Sequence, residues 1–117
     1  MPRLIVALLV SLGCTGTFAA SSENVERAYQ RVLHEYRDDA VFTSALREAQ
    51  ARWIEFRDAH IRAVYPAKDP RLEYGSVYAT CHGSVLASLN EARLAQLRQW
   101  LEGAVEGEVC AGSVRFK

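Results

Sequence analysis

Several things are scarce in this chain, and each scarcity excludes something. Only 3 Cys and 3 His occur among 117 residues, and none falls at a C-x-x-C or H-x-x-x-H spacing, so nothing supports a metal-binding cage. No sign of charge predominates: 14 Lys and Arg stand against 14 Asp and Glu. Without a positive field the chain has no means of gripping phosphate backbones, which excludes non-specific nucleic-acid binding. A long apolar run is missing too, since the most hydrophobic stretch, Leu4 to Leu12, is far shorter than the roughly 20 residues that cross a bilayer. Half the residues are nevertheless hydrophobic, too many for a disordered chain, and the length suits one compact domain.

The start reads as an address. Met1-Pro2-Arg3 is cationic, Leu4 to Leu12 is apolar, and Thr17-Phe18-Ala19-Ala20 supplies the small residues of a cleavage site. Residues 1–20 are therefore expected to be an export signal, cut after Ala19 or Ala20, leaving a periplasmic or secreted form with no transmembrane span. Ser11-Leu12-Gly13-Cys14 offers an alternative, because a Gly before a Cys is what a lipid-anchoring signal carries; Ser11 stands where Leu is usual.

Beyond the signal the apolar periodicity predicts three helices, an all-α fold. In the first, capped at Ser21-Ser22, Val25, Tyr29, Val32, Leu33 and Tyr36 form one stripe. Asp38-Asp39 recaps the chain, and a second helix runs from Val41 to Tyr65, stopped by Pro66, with Leu46, Ala49, Trp53, Phe56, His60 and Val64 as its stripe. Residues 66–79 hold Pro66, Pro70 and Gly75 without period and read as a long loop. A third helix from Cys81 to Leu101 presents Val85, Leu86, Leu89, Leu97, Trp100 and Leu101 and ends before Gly103. Three such stripes imply a small antiparallel three-helix bundle with an irregular C-terminal tail, its core filled largely by Tyr29, Trp53, Phe56 and Trp100.

Polar residues interrupt these stripes. Gln50, Trp53, Arg57 and His60 share a face of the second helix, and Arg93 breaks the third stripe in the same way. A polar group facing a core must find a partner. For Arg57 the candidates are Glu91 or a backbone carbonyl. The group is either a binding patch or a buried network that fixes helix register, and the spacing favours the network.

The same residues carry a resemblance. Gln50-x-x-Trp53-x-x-Phe56-Arg57-Asp58-Ala59, then Tyr74-Gly75-Ser76, Cys81, and Arg93 ahead of Gln96-Leu97 resemble the LprI-like family of bacterial secreted or lipid-anchored helical proteins. Ala28-Tyr29-x-x-Val32-Leu33 looks like that family's first helix. The resemblance implies a domain over residues 21–102, followed by a tail at 103–117, with Gln50, Trp53, Arg57, Asp58 and Arg93 as its structural motif. At least one branch of the family is associated with inhibiting lysozyme. The family usually places a Cys shortly after Arg-Asp-Ala, paired with the Cys that opens the last helix; here those positions read His60-Ile61, and Cys81 has lost that partner. A replacement disulfide from Cys81 to Cys110 is then expected, tying back the tail and contributing about 3–4 kcal/mol through loop-closure entropy.

No catalytic constellation is visible. Cys81 and His82 are adjacent, which on a helix points their side chains about 100° apart. His34 belongs to a solvated face, while Glu55 and Asp58 have Arg52 and Arg62 at salt-bridging distance in sequence. The expectation is a non-enzyme with no cofactor or metal, acting through a protein partner. The resemblance makes that partner a lysozyme-type muramidase, whose groove would be met by Asp69, Glu73 and Tyr74-Gly75-Ser76 in the connecting loop, with Glu102, Glu106 and Glu108 of the tail adding acidic steering. The alternative is a periplasmic interaction or immunity-type module with a different protein partner.

Overall fold

The computed structural model describes the backbone of residues 18–117 and side chains from Asn24 onward. The export signal and Cys14 therefore lie outside the described residues, apart from Phe18 to Ala20. Four helices follow one another: α1 (Phe18–Glu35), α2 (Ala40–Val64), α3 (Pro70–Tyr74) and α4 (Tyr78–Glu102). The all-helical expectation holds, with two differences. α1 begins ahead of the expected Ser21-Ser22 cap and runs through it, which suits the strong helix propensity of Ala19-Ala20. The expected irregular loop contains α3, because Asp69 accepts the Leu72 backbone N–H at 3.2 Å and Pro70 occupies the first helical position.

Helix α1 turns into α2 through Asp39, whose Oδ1 accepts the Phe42 N–H at 2.9 Å. Chain direction is read from contacts along α2 and α4. Phe42 lies against Trp100, Gln50 against Arg93, and Tyr65 against Tyr78, so partners on α4 fall in number as those on α2 rise. The core is assembled at the Trp100 end. Val25, Ala28, Val32, Leu33 and Tyr36 pack with Phe42, Leu46 and Leu97, flanked by half-buried Tyr29, Trp53, Leu94, Trp100 and Leu101. Val32 and Leu97 have no solvent exposure. The expectation that Phe56 fills the core is overturned: it is 53% exposed, and Ala49, His60 and Val64 are also exposed. The inward line of α2 is instead Phe42, Leu46, Gln50 and Ile61, with Trp53 and Arg57 half-buried between them. The buried core residues on α2 are Phe42 and Leu46 in its first half, and no α1 core residue packs against the stretch of α2 that carries Phe56.

The tail folds back onto this same end. Gly103, at φ 82°, caps α4, and a side chain there would meet Lys117 Cγ at 2.7 Å and the Arg115 carbonyl at 2.9 Å. Ala104 N–H donates to the Arg115 carbonyl at 2.9 Å, and Lys117 N–H to the Ala104 carbonyl at 3.1 Å. Arg115 N–H donates to the Tyr36 hydroxyl at 3.1 Å, and its guanidinium reaches Asp38 at 2.7 Å and lies over the Tyr36 ring. Trp100 Nε1 donates to Ser113 Oγ at 3.0 Å.

These contacts replace the expected disulfide. Cys81 and Cys110 are both free and exposed. Cys81 stands in the first turn of α4, whereas the tail carrying Cys110 docks beyond its last; 21 residues of helix at about 1.5 Å each separate the two ends by about 30 Å. A disulfide needs Cα atoms within about 7 Å.

Candidate functional site

Two groups of the expected residues come together, in different places. The first is the polar motif between α2 and α4. Arg93 Nε donates to Gln50 Oε1 at 2.9 Å and its Nη1 to Gln96 Oε1 at 3.0 Å. Its Nη2 is buried without a hydrogen-bond partner, and burial pushes the Arg93 pKa down from the ordinary arginine value. Trp53 lies between two guanidinium groups, Arg57 at 5.2 Å and Arg93 at 6.0 Å from its ring centre. The partner expected for Arg57 is corrected: its Nε donates to the neighbouring Asp58 at 3.0 Å, and Glu91 is exposed. The cross-helix bond therefore belongs to Gln50 and Arg93. Both are buried, so this motif holds helices together and offers little to a ligand.

The second group forms the far end of the molecule, where α2, α3 and α4 meet. Tyr65, closing α2, sits with Tyr74 at 5.3 Å and Tyr78 at 5.2 Å between ring centres, and Tyr78 in turn contacts His82 at 5.6 Å. The neighbours crowded around the Tyr65 hydroxyl strip water from it and raise its pKa, and Cys81 and Tyr78 beside it add to the shift. Of the expected partner-binding residues, Asp69 is engaged as the α3 cap and Gly75, at φ 76°, ends that helix. Tyr74 is half-buried in the aromatic group, while Glu73 and Ser76 are exposed. The most exposed apolar side chains at this end are Leu72, at 83%, and Val77, at 61%.

Beside the aromatic group a cleft of about 460 Å³ opens between α2, the turn after it and α4. Ile61 and Leu86 line it together with Tyr65 and Tyr78, and Arg57, Arg62, Lys68 and His82 bring basic groups. Sequence reading missed this cleft. The signal available was the recurrence of Tyr65, Tyr74 and Tyr78 around a supposed loop, too many rings for a solvated segment. Of the surface charge pairs expected on α2, Arg52–Glu55 is present at 3.2 Å, whereas Asp58 pairs with Arg57 and not with Arg62. Among the described residues no group of three His, Cys, Asp or Glu could hold a metal ion, and no helix is long and apolar enough to cross a membrane.

Against this geometry, a protein-family model described as lysozyme inhibitor LprI matches residues 14–97, most of the chain. The chain belongs to the LprI family. No curated protein and no solved structure shows a match. The LprI match takes in the Gln50–Arg93 bond, the tyrosine group and every residue named around the cleft, and it stops before the tail. It is a family of inhibitors rather than of enzymes. The residues that clamp the tail, Ser113, Arg115 and Lys117, fall outside the matched span.

Proposed function

We propose that this protein is exported to the bacterial envelope, where it binds and inhibits a lysozyme-type muramidase without turning over substrate. α1, α2 and α4 serve as an antiparallel three-helix bundle that presents its far end to the enzyme. The observation that carries the reading is that this end, within the span matched by an inhibitor family, exposes Leu72 and Val77 around a braced tyrosine group. An exposed leucine on a short capped helix is already ordered before binding, so little entropy is lost when a groove closes over it. Glu73 beside it, with Glu102, Glu106 and Glu108 at the other end, supplies acidic charge for approach to a cationic enzyme. Asp69 contributes by holding α3 rather than by contact.

The test is a turbidity assay of cell-wall lysis with chicken-type and bacterial muramidases, run beside a direct binding measurement. Inhibition is expected with at least one enzyme, weakening as ionic strength rises, because exposed charges are screened over about 8 Å at physiological salt. Leu72→Ser should speed dissociation, and Glu73→Gln should chiefly slow association. Absence of binding to every muramidase at micromolar concentration would overturn the reading in favour of an envelope module with another protein partner. Intact mass of the exported form separates cleavage after Ala19 or Ala20 from lipidation at Cys14.

A further inference from the structure

The cleft beside the tyrosine group is built unlike the rest of the surface. Its floor includes Ile61, one of the few buried residues in this half of α2, and the half-buried Leu86. Around that apolar floor stand Arg62 and Lys68, and neither makes an ion pair or hydrogen bond among the described residues. Asp58 is the one carboxylate in the lining, and it is already bonded to Arg57 at 3.0 Å. The opening is thus left with positive charge in excess, and the phenols of Tyr65 and Tyr78 border it. At about 460 Å³ it falls within the size range of small-ligand sites and exceeds what a lone inorganic ion fills.

We propose that this cleft is a binding site for an organic carboxylate: a negative group held by Arg62 and Lys68 at the end of a short apolar stem that lies on Ile61 and Leu86. An acidic side chain of a partner protein has that chemistry. The source of the carboxylate rests on the muramidase reading above, since the groove of a glycosidase carries a pair of catalytic carboxyl groups. A cationic cleft would meet the negative centre of an otherwise positive enzyme. Arg62 would pair in a two-pronged fashion and Lys68 as a point charge.

The experiment has two arms on the exported protein. In the first, N-acetylglutamate and inorganic phosphate are titrated separately while backbone and side-chain NMR signals are followed. N-acetylglutamate should shift the signals of Lys68, Tyr78, His82 and Leu86 in a saturable way, and the double variant R62Q/K68Q, checked for an unchanged helical spectrum, should lose this response. Phosphate should bind more weakly, having no stem to lay on the floor; equal binding of both, or no saturable shift with either, overturns the proposal. In the second arm, a muramidase that binds the wild type should bind R62Q/K68Q on the order of tenfold more weakly or worse. Unchanged muramidase affinity in that variant overturns the proposal and leaves the inhibitor reading standing. Saturable N-acetylglutamate binding by a protein that binds no muramidase upholds the site and removes that reading.

Discussion

Each end of the molecule has its own aromatic group, and the two are used differently. At the core end Tyr36, Phe42 and Trp100 pack as tilted rings with centres 4.7 and 5.5 Å apart, and α1 and the tail are fitted against them. At the far end Tyr65, Tyr74 and Tyr78 meet at similar distances away from the core residues of α1, and the surface beside them opens into a cleft. The same ring chemistry serves burial in one place and bracing in the other. What differs is the third element: α1 supplies apolar cover to the end of α4, and none of its core residues belongs to the far half. Stability therefore concentrates at one end and accessible chemistry at the other.

The comparison is broken most forcefully at Leu97, which has no exposure. Leu97→Ala should cost about 2–5 kcal/mol in urea denaturation, as a buried large-to-small change does. Next comes the bond between the halves. Arg93→Met strands the Gln50 carbonyl oxygen and should cost about 1–3 kcal/mol, whereas the double variant Q50L/R93M, which removes both polar partners, should recover most of that loss. A smaller effect is confined to the tail. The Arg115 hydrogen bond holds the Asp38 pKa below the ordinary 3.8. The folded value being depressed, the contact contributes fully above that ordinary value and is lost as pH falls through the lower, folded one. NMR signals of Arg115 and Ser113 should accordingly move in that acidic window, and Asp38→Asn should abolish the transition. Phe56→Ser should change stability least, by no more than about 0.5 kcal/mol, since its ring faces solvent against His60. A large loss there would mean that the far half is packed after all.

Much of the core end was legible in the sequence, because its helices obey the rule that apolar side chains recur every three or four residues. Val25, Val32, Leu33, Tyr36, Leu46 and Leu97 were all on expected stripes and are all buried. The second half of α2 misled for a physical reason. Phe56, His60 and Val64 are its most apolar or aromatic line, yet the inward residue is Ile61, about 100° around the helix from His60. Periodicity assumes that a helix has an apolar neighbour along its length, and here the neighbour is the stretch of α4 around His82 and Leu86, which borders an open cleft. Gln50, Trp53, Arg57 and Arg93 were legible as a group, but not the identity of each bond: Arg57 was expected to reach Glu91 or a backbone carbonyl, and its rotamer takes it to the adjacent Asp58 instead. The cleft was invisible because Arg62, Lys68 and His82 are far apart in sequence and ordinary in type. Cys110 misled because parity of cysteines says nothing about which end of a helix a tail returns to.

That return gives the molecule a built-in pair of labelling points. Without residues 1–20 the chain carries two thiols, both exposed, Cys81 in the first turn of α4 and Cys110 in the tail that docks beyond its last. Spin labels or dyes attached to Cys81 and Cys110 would report from opposite ends of α4, which runs about 30 Å from Cys81 to its last residue, a span suited to distance measurement. The native sequence can thus report, with no cysteine added, whether the open end moves relative to the closed one when a partner is seized.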